Sequence, residues 1–229
     1  MANQRNYQRE LDGMLLKLQM EGGETPKRLF LHSCCAPCSS YCLSYLSEYF
    51  EITDYYYNPN IYPPKEYQKR AEEQKRLIEE MPFRHPVHFM EGEYHPEEFF
   101  EMARGLEEVP EGGERCFRCY EMRMRKAAFL AKEGGYDYFT TTLSISPLKN
   151  AQKINEIGEQ LAEEYQVRHL PSDFKKKEGY KKSIALSKQY GLYRQDYCGC
   201  VFSKKQQVHN EKIRVKNKVD FWTHLYKGS

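Results

Sequence analysis

The sequence lacks several patterns that would assign a protein of this length to a common class. No run of apolar residues is long enough to span a bilayer, and the opening MANQRNYQRE contains no secretory apolar stretch. Neither glycine-rich phosphate-binding pattern, G-x-G-x-x-G or G-x-x-x-x-G-K-[ST], occurs. Internal repeats and low-complexity segments are also absent. We therefore expect a cytoplasmic protein with no membrane partner, and the sequence does not support a bound dinucleotide or ATP.

Acidic and basic residues are unevenly distributed along the chain, although the formal net charge is only +2. Residues 91–114 contain nine Glu and one Arg, whereas residues 175–194 contain seven Lys or Arg and one Glu. Residues 203–218 add six Lys or Arg against one Glu. A run of charge is often only a solvated face. The two basic stretches flank a cysteine pair, which favours a nucleic-acid surface, and tyrosines offer stacking platforms there: Tyr180, Tyr190, Tyr193 and Tyr197.

Cysteine occurs in an informative pattern. Six of the eight cysteines form three close pairs: Cys34 with Cys35, Cys116 with Cys119, and Cys198 with Cys200. A disulfide framework is not expected, because a chain of 229 residues can bury a sizeable core without covalent staples. Grouped thiolates instead indicate a metal site, provided that the fold brings the three pairs together. Spacing alone does not distinguish zinc from an iron–sulfur cluster.

Hydrophobic periodicity predicts strands that alternate with helices. This alternation is typical of an α/β fold with a mostly parallel sheet flanked by helices. We predict an N-terminal amphipathic helix within residues 1–23, a single α/β catalytic domain over 24–203 and a basic C-terminal tail over 204–229. The strand predicted at 28–33 runs directly into Cys34 and Cys35. Such folds place their chemistry at the carboxyl ends of the strands, so this loop is the expected site.

Two local predictions concern the other motifs. The pattern predicts a helix from about Cys119 to Lys132, preceded by a loop that carries Cys116. It also predicts a later helix that is capped by Ser146 and Pro147.

Five stretches of the chain resemble the QueH-type epoxyqueuosine reductases, between about Leu29 and Ser203. They occur in the family's order and comprise HSCCAPC at 32–38, YYNPNIYPPKEYQKR at 56–70, RCFRCYEMR at 115–123, TTTLSISPLKN at 140–150 and DYCGC at 196–200. The resemblance implies a tRNA-modifying oxidoreductase of queuosine biosynthesis. Such an enzyme removes the epoxide oxygen from epoxyqueuosine at the wobble base, which gives queuosine.

The resemblance also implies cofactors and a fold family. It implies a 4Fe-4S cluster beside a second metal ion, expected to be iron, in a fold related to the adenine nucleotide alpha hydrolase (PP-loop/HUP) fold. The six paired cysteines would supply four ligands to the cluster and two to the second ion, in an assignment that the resemblance leaves open. Family members often have Asp at the position of Cys38, so Cys38 is a candidate third ligand of the second ion as a thiolate. The implied partners are tRNA that carries epoxyqueuosine and an electron donor that the sequence does not identify.

The implied reaction also needs an acid. Removal of oxygen from an epoxide to leave an alkene consumes two electrons and two protons, so a side chain must protonate the leaving oxygen. Asp196, His32, Tyr120 and Tyr197 lie near the candidate ligands in the sequence, and the sequence does not choose among them.

A second class of function fits the same residues. Six or more cysteines, a basic tail and interleaved tyrosines would also suit a zinc-stabilised RNA-binding module without redox activity. Iron and sulfide content distinguishes the two, because only the reductase needs an iron–sulfur cluster.

Overall fold

A computed structural model of the chain describes residues 5–23 and 25–208. Most of the predicted basic tail lies outside the described residues, including its cations Lys212, Arg214, Lys216 and Lys218. Within the described part, no helix has the length and the apolar character that crossing a bilayer requires.

Strands and helices alternate along the described chain, as predicted. The strands are β1 (Lys27–Ser33), β2 (Phe50–Tyr56), β3 (Val87–Glu91), β4 (Tyr138–Thr141) and β5 (Arg168–His169). The helices are α1 (Tyr7–Glu21), α2 (Ala36–Leu46), α3 (Pro64–Glu80), α4 (Pro96–Met102), α5 (Glu114–Glu133), α6 (Ala151–Tyr165) and α7 (Gly179–Gln189). A 3-10 helix, Thr142–Ile145, follows β4 directly, and residues 201–208 are also helical.

The five strands form one parallel sheet in the order β3-β2-β1-β4-β5. The chain moves outward from β1 to β2 and β3 on one side, and then continues with β4 and β5 on the other side. The strand order therefore reverses between β1 and β4, where the register pairs His32 with Thr141. A crevice opens at such a reversal, outside the carboxyl ends of the strands, and this is where open α/β sheets bind ligands.

Hydrophobic residues cover both faces of the sheet. Phe30 and Phe139 point to one face, where they pack with α5 and α6. Leu29 and Leu31 point to the opposite face, where they pack with α1 and α2. This alternation along β1 follows from the two-residue side-chain period of a strand, and it buries the sheet on both sides as parallel sheets require.

The amphipathic N-terminal helix is confirmed, and it belongs to the main core. Leu11 and Leu15 of α1 are buried in the same cluster as the residues of β1 and α2. Helix α1 therefore contributes to the layer of helices that covers this face of the sheet.

Two local predictions were wrong in their boundaries. Helix α5 begins at Glu114, so Cys116 lies in its first turn and not in the preceding loop. The cause is Gly113, whose carbonyl accepts from the Cys116 amide at 2.9 Å and starts the helix before its apolar face begins. Helix α6 is capped by Asn150, whose side chain accepts from the Lys153 amide, whereas Ser146 lies in the turn before it.

Candidate active site

A cavity of about 490 Å³ lies at the crevice between β1 and β4. Its wall includes residues from several distant parts of the chain. They are Cys34 and Cys38 after β1, Arg123 on α5, residues 146–149 after the 3-10 helix, and residues 194–198 after α7. The cavity is within the usual size range of sites that bind small molecules.

Three thiols from the loop after β1 converge on this cavity. The Sγ atoms of Cys34, Cys35 and Cys38 all lie within 4.8 Å of one another. Cys35 is the N-cap of α2, and its carbonyl accepts from the Cys38 amide at 3.1 Å, which holds the two residues on the first turn. Among the described residues, no other group of three or more Cys, His, Asp or Glu donors is this compact. We call these three cysteines the thiol triad.

The three thiols of the triad shift one another's pKa values. Contacts with Cys35 and Cys38 lower the pKa of Cys34 well below that of an ordinary thiol. The same contact with Cys34 raises the pKa of Cys35 to about 12, and contacts with both neighbours raise the pKa of Cys38. One thiolate is therefore stabilised by two thiols. The N-terminal end of α2 also favours negative charge at this place, because its free amide groups carry partial positive charge.

A second group of four cysteines lies near the cavity, and Cys198 of this group lines it. Cys116 and Cys119 are one turn apart on α5, while Cys198 and Cys200 are in the segment that follows α7. Cys119 and Cys200 belong to one buried cluster, and Cys198 lines the cavity with Cys34. The fold therefore brings all three sequence pairs to one region. We call this second group the four-cysteine group.

Backbone amides point at the sulfurs of the four-cysteine group. The Gly112 amide donates to Cys116 Sγ, and the Ser203 amide donates to Cys200 Sγ, both at 3.3 Å. Burial raises the pKa of Cys119 to about 11 and that of Cys200 to about 12. Buried thiols with such pKa values are neutral at pH 7 until a metal binds and displaces the proton.

A glycine lets the chain pass close to α3 at this point. Gly199 has φ +114°, and a Cβ atom there would lie 2.9 Å from both Arg70 Nη1 and Ile61 Cγ1. The carbonyl groups on either side are fixed by donors, since Arg70 Nη1 donates to the Cys198 carbonyl at 3.2 Å and the Tyr62 amide donates to the Gly199 carbonyl. Glycine at 199 thus allows Cys198 and Cys200 to be held next to α5.

The four candidate acids occupy different positions. Asp196 and Tyr197 line the cavity. His32 does not line it, and both ring nitrogens are within hydrogen-bond distance of other groups, Thr141 Oγ1 at 2.8 Å and the Tyr57 carbonyl at 3.1 Å. Burial lowers the pKa of His32 to about 3, so at pH 7 it is neutral and lacks the acidic proton of an imidazolium. Tyr120 is buried in the core beside α6, and burial raises its pKa.

Comparison with known proteins connects this geometry to a family. A family model described as "Epoxyqueuosine reductase QueH" matches residues 29–206. The chain belongs to the QueH family. The match contains the whole sheet apart from the first two residues of β1, together with both cysteine groups. The family is named for an oxidoreductase activity, and the cavity residues lie within the matched part of the chain except for Gln207.

Individual QueH proteins are similar over most of this chain. An epoxyqueuosine reductase QueH of Staphylococcus epidermidis is 46% identical over 212 residues, which cover 90% of this chain and 88% of the relative. The protein of that name from Streptococcus pyogenes is 43% identical, with coverage of 88% and 79%. The one from Thermotoga maritima is 35% identical, with coverage of 82% and 97%.

The QueH motifs also contain cavity residues that the sequence analysis did not single out. Arg123 and Lys149 line the cavity, and each is the last or nearly the last residue of a matching stretch. Gln195 donates from Nε2 to Cys35 Sγ at 2.7 Å. The spacing of Arg123, four residues after Cys119 on a predicted helix, could have placed it beside the cysteines. No sequence signal marks Lys149 or Gln195, because each reaches the cavity from an irregular segment.

The basic stretch 175–194 borders the same cavity. Tyr180 and Arg194 contribute to the cavity wall. Lys175, Lys177 and Lys181 are paired with nearby carboxylates, at distances of 2.6–2.8 Å. The remaining cations of this stretch have no carboxylate partner among the described residues: Lys176, Lys182, Lys188 and Arg194. Four of the seven cations in this stretch therefore have no carboxylate to neutralise them in the described part of the chain, and one of the four, Arg194, borders the cavity.

Proposed function

We propose that this protein removes the epoxide oxygen from epoxyqueuosine at the tRNA wobble position, using a 4Fe-4S cluster and an adjacent metal ion. The observation that carries the proposal is that seven cysteines lie in one region of a chain that belongs to the QueH family, and that three of them, Cys34, Cys38 and Cys198, line one cavity. A cavity of about 490 Å³ has room for a single nucleoside, and the strand-order reversal of the sheet is the usual place for such a ligand.

The two cysteine groups fit two different metal centres. A single ion bound to thiolates at about 2.3 Å in a tetrahedron separates the sulfur atoms by about 3.8 Å. The Cys34 and Cys35 Sγ atoms are 3.9 Å apart, and all three sulfurs of the thiol triad lie within 4.8 Å of one another, so the triad is compact enough for one ion. The four-cysteine group is less compact, which suits a cluster in which each thiolate binds a different iron. We therefore assign Cys116, Cys119, Cys198 and Cys200 to the cluster, and the thiol triad to the second ion.

The assignment makes Cys38 the third ligand of the second ion. It replaces the Asp that the family resemblance implies at this position, and both side chains supply one anionic donor of similar reach. The thiol triad also leaves a side open to the cavity, because Cys34 and Cys38 both line it. An ion with an open position can act as a Lewis acid.

The reaction has a simple balance. Two electrons from an external donor and two protons convert the epoxide to an alkene, both C–O bonds of the ring break, and the oxygen leaves as water. When bound, the metal centres would supply electron transfer and Lewis acidity. The chain itself must deliver a proton to the leaving oxygen, and Asp196 is the candidate because it lines the cavity two residues before Cys198. Tyr197 is the alternative donor, since it shares this wall.

The tRNA would bind across the basic border of the cavity. Tyr180 and Arg194 stand at its edge, and Lys182 and Lys188 belong to the same helix as Tyr180. Lysine and arginine neutralise backbone phosphates, and a tyrosine can stack on an unpaired base. An enzyme that acts on a base must take that base out of the stack and into a pocket. These features support a looped-out wobble nucleoside with its flanking phosphates on α7.

We also propose the relationship to the adenine nucleotide alpha hydrolase (PP-loop/HUP) fold. Its support is the strand order 3-2-1-4-5 of a parallel sheet with helices on both faces. In such folds the first strand leads to a phosphate loop, whereas here it leads to the thiol triad.

The decisive experiment is anaerobic purification followed by iron, sulfide and zinc analysis, combined with an assay on tRNA that contains epoxyqueuosine. We expect about four sulfides and about five metal ions per chain, and conversion of the substrate to queuosine with a chemical reductant such as dithionite. A colourless protein that contains zinc without iron or sulfide would refute the reductase and favour the zinc-stabilised RNA-binding module.

The substrate itself provides a second test. Phosphate contacts supply much of the affinity for nucleic acid, so an anticodon stem-loop that contains epoxyqueuosine should react far faster than the free nucleoside at equal concentration. Equal rates on the two substrates would show that the basic border of the cavity does not bind RNA.

A further inference from the structure

We propose that Arg123 is a positioning residue that acts as the buried counter-cation of the two metal centres and sets their reduction potential. The inference deepens the proposed function and depends on the presence of those centres. Three observations support it: the complete burial of Arg123, its hydrogen bonds to neutral oxygen atoms, and the cysteines that share its cavity wall.

Arg123 is the largest fully buried side chain among the described residues, and only 1% of it is exposed. It projects from α5 into the cavity wall, which also includes Cys34 and Cys38 of the thiol triad and Cys198 of the four-cysteine group. Its Nε donates to the Cys119 carbonyl at 3.1 Å, and Nη1 donates to Asn58 Oδ1 at 3.2 Å. Its Nη2 is buried and has no hydrogen-bond partner among the described residues.

Both partners of Arg123 are neutral oxygen atoms. Within residues 5–23 and 25–208, no carboxylate forms an ion pair with it, whereas Arg70 in the same wall is bonded to Glu66 at 2.7 Å. A fully buried cation without an anion costs several kcal/mol. A protein retains such a group when an anion is present in the functional state, and the anionic groups that can form around Arg123 are the cysteine thiolates.

Metal binding would create the missing negative charge. Thiols lose their protons when they bind a metal. Seven thiolates around a 4Fe-4S core of charge 2+ and one divalent ion leave a net charge of roughly −3 in a poorly solvated site. Arg123 shares the cavity wall with cysteines of both groups, and Lys149, which also lines the cavity, is a second cation without a carboxylate partner in the described part of the chain.

A nearby fixed cation favours the reduced form of a centre, because reduction adds negative charge. Net charge and hydrogen bonding around the sulfurs are among the factors that set the potential of an iron–sulfur cluster. Removal of the charge at Arg123 should therefore shift the cluster's midpoint potential to a more negative value. It should also weaken the retention of iron.

The test compares Arg123→Met with Arg123→Lys and with Arg125→Met, all reconstituted under anaerobic conditions. Arg123→Met removes the charge but keeps much of the volume, and Arg123→Lys keeps the charge. Arg125 is the matched control, because it lies two residues further along α5 and forms ion pairs with surface residues Glu121 and Glu164. Iron content and an EPR-monitored redox titration are the readouts, together with urea unfolding of each metal-free protein.

We expect a more negative midpoint potential and reduced iron content in Arg123→Met, and values close to wild type in Arg123→Lys and Arg125→Met. Metal-free Arg123→Met should be at least as stable as wild type, since it no longer buries an unpaired charge. A potential equal to that of wild type in Arg123→Met would overturn the proposal. Equal defects in the Met and Lys variants, or a destabilised metal-free Met variant, would show that Arg123 acts through hydrogen bonds and packing alone. Failure of the wild-type protein to bind iron would instead contradict the proposed function itself.

Discussion

The most informative perturbation of the thiol triad is at Cys38. Four-ligand zinc sites bind with about 10–16 kcal/mol, so a single ligand contributes on the order of 3–4 kcal/mol. Because about 1.4 kcal/mol corresponds to a factor of ten, Cys38→Ala should weaken metal binding at the triad about 10²–10³-fold. Cys38→Asp keeps an anionic donor on the first turn of α2 and should stay within about tenfold of wild type.

The assay is an anaerobic Co²⁺ titration against a competing chelator, followed through thiolate-to-metal charge-transfer absorption. Both variants are best studied in a Cys119→Ala background, in which the four-cysteine group is incomplete. Cys42→Ala is the matched control, because Cys42 lies one turn beyond Cys38 on α2 and is fully buried in the hydrophobic core. It should cost about 1 kcal/mol of stability without a change in metal affinity. Unchanged affinity in Cys38→Ala would remove Cys38 from the ligand set.

The remaining predictions concern the cluster, the basic tail and a buried acid. Cys119→Ala should lose most of the bound iron and all reductase activity, as measured by iron analysis and the tRNA assay, and full cluster occupancy would contradict the assignment. Replacement of Lys204, Lys205 and Arg214 together by Ala should weaken tRNA binding and reduce the slope of log affinity against log salt concentration by about 0.7–0.9 per lost phosphate contact. The iron content should not change, and an unaltered slope would refute a role of these residues in tRNA binding. Burial raises the pKa of Asp54 from 3.8 to about 7, so the folded metal-free protein keeps a proton that the unfolded chain releases. Its unfolding free energy should therefore fall as pH rises from about 4 to about 7, by at most about 4 kcal/mol from this group, and Asp54→Asn should flatten that dependence in urea titrations at several pH values.

The fold was largely predictable because its signals are local. Strands of apolar residues alternate with amphipathic helices, and α1 was predicted from the helical spacing of Leu11, Met14, Leu15 and Leu18. The boundaries of α5 and α6 were harder to predict from the sequence. The first turn of α5 carries Cys116 of the four-cysteine group and lacks the apolar stripe that marks the rest of the helix. Ser146 and Asn150 are both residue types that cap helices well, and only the three-dimensional structure shows that Asn150 caps α6.

The site was predictable in its cysteines and much less so in its other residues. Paired thiols are rare enough in a reduced protein to be recognised from spacing, and all three pairs converge on one region as expected. The choice between His32 and Asp196 could not be made, since it depends on which side chain the cavity reaches and which one is already hydrogen-bonded. Lys149 and Gln195 could not be predicted either, since each reaches the cavity from an irregular segment, whereas the position of Arg123 four residues after Cys119 was a usable signal.

The thiol triad lies at the N-terminal end of a helix, where the free backbone amides attract negative charge as they do in the phosphate loops of other parallel sheets. The amides at the first turn of a helix that follows a central parallel strand favour an anion, whatever its chemical identity. A phosphate is large and needs glycines so that the backbone can approach it closely. A thiolate is part of the chain and is already in place, so Cys35 can serve as the N-cap and Cys38 can lie on the first turn without any glycine. A helix end that receives its anion from the chain itself needs no glycine pattern, and the three thiols held there could bind a metal ion.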